Sequence, residues 1–401
     1  MEDFIPFFKP SIGNQEVEEV VDTLRSGWLT TGQKCKHFEA EFAAYMGLPH
    51  AVAVNSCTAA LHLALEASGL QPGEAVLVPT MTFAATAEVV RYFNAIPIFI
   101  DCESTTMNMD LAKAEEILKH NDQEKGAKIR AIMPVHYGGQ MVDMTQVERL
   151  AKRYSLTIVE DAAHALPAFF SPRHQADTDD WEPVGQRSHV ACFSFYANKT
   201  ITTGEGGMAI TRNADWAERM RIMSLHGISK DAWERFSYKG SWYYEIVAPG
   251  YKYNMTDIVA AIGIHQLKKA DYFWQERRRV ASLYGELLKD IDEIELPQEL
   301  PNCKHSWHLY VIKLNLGKLS IDRNRFVDEL KTKGIGVSVH WMPLHMHPYY
   351  RDLYGYKPED FQVACSLYHR IISLPIYPSL TDGVIAKIAG AIKATIALYR
   401  K

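Results

Sequence analysis

Lys199 ends the segment Cys192-Phe193-Ser194-Phe195-Tyr196-Ala197-Asn198-Lys199 and precedes Thr203-Gly204-Glu205-Gly206-Gly207, while Ile158-Val159-Glu160-Asp161-Ala162-Ala163-His164 lies upstream. A lysine amine attacks carbonyl carbon only in its unprotonated form, and burial near positive charge lowers its pKa accordingly. A carboxylate serving the same group can hold a ring nitrogen protonated, and an ionised aspartate beside a cation has a lowered pKa. Taken singly, Lys199 reads as a solvated charge, like most lysines, and Asp161 reads equally as a helix cap. Together they match pyridoxal phosphate (PLP) chemistry, which needs a Schiff-base lysine and an acid facing the pyridinium nitrogen.

Other segments supply what such a site would lack. Asn55-Ser56-Cys57-Thr58-Ala59-Ala60 follows an apolar run and opens a helix. Backbone N–H groups and the Thr58 hydroxyl there can meet a phosphate at the positive helix end, although the same residues make an ordinary N-cap. Phe83 closes Pro79-Thr80-Met81-Thr82-Phe83, where an aromatic either stacks on a flat ring or joins the core. His164, one turn beyond Asp161, is placed to lie against that ring or to be a satisfied buried histidine. Ser194 and Asn198 stand near the same phosphate or lysine. Gly204 to Gly207 lacks the Lys-Ser/Thr of a P-loop and reads as a tight turn holding the lysine loop. No G-x-G-x-x-G follows the first strand, which argues against a nicotinamide dehydrogenase. Histidines 305, 308, 340, 345 and 347 cluster late, but no carboxylate or cysteine completes a zinc spacing, so no metal site is expected.

Elements must bring these residues together. Val17, Val20, Val21 and Leu24 share one helical face over residues 15 to 25. Short, unbroken apolar runs follow at 51–54, 75–78, 96–100, 129–135, 157–159, 190–195 and 208–210, as expected of strands covered on both faces. Helical stretches at 59–67, 109–119 and 144–153 alternate with them, predicting an α/β domain with a largely parallel sheet. Ligands in such sheets sit beyond the carboxyl ends of strands, where Asp161 and Lys199 fall. Residues 256 to 290 read as one long helix or a helix pair, then strands at 309–314 and 336–340 alternate with helices at 322–333 and 382–399. The division drawn is a large domain over 1–250 and a smaller α/β domain over 251–401. The 401 residues carry 47% hydrophobic and 23% charged side chains, ordinary for a globular enzyme. A net charge of -5 argues against a nucleic-acid partner. Neither a transmembrane run nor a secretory leader is visible, and six scattered cysteines read as reduced thiols, so a cytoplasmic enzyme without a membrane partner is expected.

The order of these blocks resembles the fold-type I PLP enzymes, and more narrowly the DegT/DnrJ/EryC1/StrS family of nucleotide-sugar aminotransferases. The likeness runs from Ser26-Gly27-Trp28-Leu29-Thr30-Thr31-Gly32 through Pro134-Val135-His136-Tyr137-Gly138-Gly139 to Gly250-Tyr251-Lys252-Tyr253-Asn254-Met255 and Ser373-Leu374-Pro375-Ile376-Tyr377-Pro378, taking in the blocks above. It implies a seven-stranded, mostly parallel sheet sandwiched by helices, with a smaller C-terminal α/β domain. It implies that Lys199 forms the Schiff base, that Asp161 pairs with the ring nitrogen and that Phe83 and His164 flank the ring. Thr58, Ala59 and Ser194 would hold the phosphate. The family forms homodimers with the active site at the interface, and Asn254 is the candidate for the residue lent by the partner. Thr31, His226, Arg235, His308 and His340 are the candidates for nucleotide-sugar contacts. The implied reaction takes an amino group from L-glutamate to a nucleotide-linked keto-sugar (UDP, GDP or dTDP) through pyridoxamine phosphate, with polysaccharide or amino-sugar biosynthesis as its setting. The alternatives are a PLP-dependent sugar dehydratase, which Lys199 opposes because such relatives carry histidine there, and a fold-type I enzyme acting on amino acids.

Overall fold

In the computed structural model, residues 4–124, 126–173, 180–229 and 243–401 are described. The helices are α1 (Asn14–Ser26), α2 (Gln33–Met46), α3 (Cys57–Ala67), α4 (Ala84–Arg91), α5 (Leu111–Glu124), α6 (Met144–Tyr154), α7 (Ala214–Ser224), α8 (Asp257–Leu267), α9 (Ala270–Leu288), α10 (Arg323–Thr332), α11 (Pro348–Tyr354), α12 (Gln362–Tyr368) and α13 (Asp382–Tyr399). Seven strands make the main sheet: β1 (His50–Val54), β2 (Ala75–Pro79), β3 (Ile96–Ile100), β4 (Ile129–Ile132), β5 (Thr157–Asp161), β6 (Val190–Ser194) and β7 (Gly207–Thr211). Their order is β1-β7-β6-β5-β4-β2-β3, and β7 alone runs antiparallel to both its neighbours.

The unbroken apolar runs are explained by the two cores they feed. Successive side chains of a strand point to opposite faces. Ala51, Ala53, Ala75, Leu77 and Ile158 therefore join a core with α2 and α6, while Val52, Val54, Val76, Val78 and Val159 join another with α3 and α4. In the first core Phe38, Phe42, Phe193 and Phe195 meet at ring separations of 5.2–6.1 Å, mostly edge to face. Each such ring contributes about 2 kcal/mol by leaving water. Local signals set the helix starts: Asp143 caps α6, Asn213 caps α7 and Thr381 caps α13 through their side-chain oxygens.

A second, antiparallel sheet consists of β8 (Ile294–Glu295), β9 (Tyr310–Leu314) and β10 (Ile371–Leu374) in that order. It builds a third core with the later part of α9, α10 and α13, which also takes Ile5 from the other end of the chain. Ala260, Ile264, Ala270 and Phe273 belong to the first core, whereas Val280, Tyr284 and Leu288 belong to the third. The passage between cores thus runs along α9, downstream of residue 250. Two further expectations need correction. Residues 336–340 form no strand, only a bridge between Ser338 and Ser373. The apolar face of α1 points outward, with Val17 54% and Leu24 52% exposed, because buried Glu16 instead ties the helix to Lys269 and Gln266. No described helix is long and apolar enough to cross a membrane.

Candidate active site

A cavity of about 490 Å³ opens at the carboxyl ends of β5 and β6. Asp161, Lys199, His164, Phe83, Thr58 and Ser194 all line it, although the sequence scatters them over more than 140 positions. His340 and Trp341 enter from the loop before α11.

Lys199 follows the turn after β6 and is half-buried. Burial pushes its amine down to about 8, with the nearby Arg277 guanidinium acting the same way and Asp161 opposing. Asp161 ends β5 and is 5% exposed. Its Oδ2 accepts the Thr86 hydroxyl at 2.7 Å and its Oδ1 accepts the Ala163 N–H at 3.2 Å. Burial raises its carboxyl above the usual range, and the Thr86 and Ala163 bonds and the Lys199 charge offset this only in part. The expected lowering is therefore not a property of the protein alone; it requires a cation at the carboxylate, such as a pyridinium.

His164 is gripped on both sides. Its ring lies 4.2 Å from His308 and 5.0 Å from Trp341, nearly parallel to the indole at 17°. The Gly138 N–H donates to its Nδ1 at 3.2 Å and Ser306 Oγ donates to its carbonyl. Burial holds the imidazole neutral, far below its usual pKa. His340 is also held down, to about 4, by burial and by Lys199; its Nδ1 meets Ser373 Oγ at 2.8 Å. His308 is buried behind His164 rather than on the cavity wall, so it supports that ring and touches nothing in the cavity.

Phe83 is the N-cap residue of α4 and is 58% exposed. An aromatic this open on a cavity wall is a face awaiting a partner, not core. On the opposite side Ser56 caps α3, its Oγ accepting the Ala59 N–H at 3.1 Å. That bond uses the Ala59 amide inside the helix, and the cavity wall at this point is formed by Ser56, Cys57 and Thr58. Ser194 Oγ accepts from the Tyr196 N–H at 3.3 Å, and among the described residues nothing accepts its own proton. The buried Oδ1 of Asn198 likewise has no partner. An electrophile-seeking amine, a carboxylate, an open aromatic face, a helix start and unmet polar groups at the end of β6 and in the turn after it fit the parts of PLP.

Thr31 and Asn254 are bonded to each other at 2.7 Å and line a different cavity, of about 490 Å³, with Arg221 and Ser229. His226 is exposed beyond α7, its N–H bonded to Tyr251. Arg235 lies outside the described residues. Trp341, Thr82 and Thr86 were not singled out in the sequence. A threonine pair four residues apart at a helix start was a usable signal, whereas nothing near Trp341 in sequence marks it.

Comparison with known proteins agrees with this geometry. The profile of the DegT/DnrJ/EryC1/StrS aminotransferase family matches residues 10–393. The chain is 44% identical to the uncharacterized protein MJ1066 of Methanocaldococcus jannaschii over 399 residues, covering 100% of this chain and 99% of that one. It is 42% identical to the spore coat polysaccharide biosynthesis protein SpsC of Bacillus subtilis, covering 97% and 96%. Its fold matches the putative sugar aminotransferase Spr1654 of Streptococcus pneumoniae in its PMP form with a TM-score of 0.87 at 32% identity, covering 98% and 99%. The chain belongs to the DegT/DnrJ/EryC1/StrS aminotransferase family and is a PLP-dependent aminotransferase.

Proposed function

We propose that the enzyme transfers the amino group of L-glutamate to the carbonyl carbon of a keto-sugar carried on a nucleoside diphosphate. The observation that supports this most is the convergence of the Lys199 amine and the Asp161 carboxylate on one cavity with an open aromatic face. SpsC, named for spore coat polysaccharide biosynthesis, and the sugar aminotransferase Spr1654 point to a sugar acceptor.

The bound cofactor supplies an electron sink that makes the carbon beside the transferred nitrogen acidic. Asp161 sits buried at the end of β5, where its charge favours a protonated ring nitrogen. Phe83 and His164 would flank the ring from the cavity wall, and His164 remains neutral, adding no competing charge. Thr58, Ser194 and the start of α3 bind the phosphate. With its amine near pKa 8, about a tenth of Lys199 is unprotonated at pH 7 without any partner. Lys199 Nζ takes a proton from the α-carbon of glutamate and delivers it to the carbon on the far side of the transferred nitrogen, then runs the same transfer in reverse for the sugar. His340, at the cavity wall, faces the sugar.

We infer a homodimer as the working unit. The outward apolar face of α1, with Leu29 and Ile12 also exposed, is the kind of surface that a second copy covers. Thr31 and Asn254 lie away from the Lys199 cavity of their own chain, as residues lent to a partner would. Asn254 then completes the partner's phosphate site, with Thr31 and His226 reaching its nucleotide-sugar. Six free cysteines, five of them buried, favour the cytoplasm as its compartment.

The test is an absorbance spectrum of the purified protein before and after L-glutamate is added without sugar, followed by addition of a keto-sugar nucleotide. A visible band that glutamate removes and the sugar restores is expected; a band that glutamate leaves unchanged refutes the donor. Mixing Lys199→Ala with Asn254→Ala protein should regain activity that neither has alone, since one site of each hybrid is intact. Failure of well-mixed hybrids to regain it refutes the shared site.

A further inference from the structure

Among the described residues no ion pair closes on the Asp161 carboxylate; a line of hydroxyls meets it instead. Thr86 Oγ1 donates to Asp161 Oδ2 at 2.7 Å, and Thr82 Oγ1 lies 2.8 Å from Thr86 Oγ1. Both threonines are shut off from solvent, and Thr82 also forms part of the cavity wall.

The direction of the line follows from counting protons. An ionised carboxylate only accepts, and a threonine hydroxyl has one hydrogen. Thr86 gives its hydrogen to Asp161, so the hydrogen between the two threonines must come from Thr82. Each hydroxyl then polarises the next toward the negative oxygen. Position adds to this. Thr86 is the third residue of α4, so its hydroxyl reaches the carboxylate from the first turn of that helix. If Asp161 were protonated, its hydrogen would point at Thr86, the line would reverse, and Thr82 would need an acceptor in the cavity. Among the described residues no acceptor meets Thr82 in the reversed line, so the ionised state is the one that the line satisfies throughout.

We propose that Thr86, oriented by Thr82, is the positioning residue that fixes Asp161 as the ionised partner of the cofactor's ring nitrogen. The proposal rests on the assignment of Asp161 to that nitrogen. The other groups facing Asp161 are Lys199 and His136, with the thiols of Cys57 and Cys192 on the neighbouring segments. His136 cannot replace Thr86, because its Nε2 is bonded to Glu160 at 2.6 Å and its Nδ1 accepts the Val142 N–H. Nor can the Ala163 amide, which serves the other carboxylate oxygen.

The experiment compares the holoenzyme with Thr86→Val, Thr86→Ser, Thr82→Val and Asp161→Asn. Valine matches threonine in shape and lacks the hydroxyl; serine keeps it. The readouts are the pH midpoint of the visible absorbance of bound PLP, the PLP dissociation constant, and kcat. A buried carboxylate that loses a hydroxyl donor takes up a proton more readily, by a factor of about ten to a hundred. The ring nitrogen is then protonated less often and withdraws less charge from the Lys199 imine. Thr86→Val should thus raise the absorbance midpoint by about one pH unit and lower kcat about tenfold or more. Thr86→Ser should stay within about twofold of the parent, and Thr82→Val should fall between the two.

A parental midpoint and kcat in Thr86→Val, with Asp161→Asn shifted, overturns the role of Thr86 while leaving that of Asp161 intact. A parental midpoint in Asp161→Asn overturns the assignment beneath it. If Thr86→Ser behaves like Thr86→Val, the methyl group and not the hydroxyl matters, and the proposal falls. Should Thr86→Val not fold, Thr82→Val decides: the line predicts a raised midpoint, and an unmoved one refutes it.

Discussion

Replacing Gly207 by alanine tests how closely the phosphate end of the site is tied to the sheet. Gly207 begins β7 beside Ser56, and a Cβ built on it would lie 2.4 Å from both the carbonyl carbon and oxygen of Ser56 and 2.6 Å from the Cys57 nitrogen. Comfortable contacts of this kind need about 3.5 Å, so one backbone must retreat by about 1 Å. No flexible side chain is present to give way instead. The backbone that moves carries the Ser56 cap of α3, worth about 1 kcal/mol, and overpacking adds about 1–3 kcal/mol, for a total of about 2–4 kcal/mol of lost stability. The same shift withdraws the start of α3 from the phosphate. Losing one charge-assisted hydrogen bond there, worth about 1.5–3 kcal/mol, weakens PLP binding about tenfold to a hundredfold. Urea unfolding of the cofactor-free protein and titration with PLP read the two effects separately. Gly390→Ala is the control: it meets nothing within 4 Å in the middle of α13 and should gain about 0.5–1 kcal/mol. A Gly207→Ala protein that binds PLP within twofold of the parent and unfolds at the same urea concentration would show that the Ser56 backbone moves freely and refute the reasoning.

Lys199→Met should abolish turnover yet stabilise the cofactor-free fold at pH 7. The folded amine titrates near 8 and the unfolded one near 10.4, so between these values the unfolded chain binds more protons and parental stability rises with pH. The gain from methionine is at most about 3 kcal/mol at pH 7, reduced by solvent at the half-buried amine, and it should vanish by about pH 10.5; urea unfolding at both pH values checks it, and a constant gap would contradict the sign. Phe83→Ala should leave cofactor-free stability within about 0.5 kcal/mol, because the ring is already exposed, while weakening PLP binding about tenfold through lost stacking. A large drop in stability without PLP would mean that the ring is core after all.

The large sheet was legible because strands covered on both faces cannot hide polar residues, so their apolar runs stand out and their ends locate Asp161 and Lys199. The α8–α9 pair and α13 were legible from length and periodicity. Other features depend on contacts that sequence spacing does not encode. The apolar stripe of α1 obeys helical periodicity but faces away from the chain's own core, since Glu16 finds Lys269 more than 250 residues away. Residues 336–340 have strand-like composition yet form a loop, which is what lets His340 and Trp341 turn into the cavity. The change of core within α9 leaves no mark, because a continuous helix crosses it. His308, a candidate for the nucleotide-sugar, stands against the His164 ring, a placement that its position in the sequence does not mark. For Asp161 the sequence places the carboxylate at the end of its strand, while the depth of burial that raises its carboxyl in the cofactor-free protein comes only from packing.

The antiparallel strand β7 also imposes a timetable on the growing chain. β1 has no partner in the sheet except β7, which is synthesised more than 150 residues later. While residues 50–54 emerge first, their place in the sheet does not yet exist, and β2 to β6 must assemble without them. The cradle at Ser56 closes only when Gly207 arrives beneath it. A nascent chain stopped before residue 207 would hold Asp161 and Lys199 without the backbone that backs Ser56, so on the proposed phosphate assignment cofactor capture should await β7.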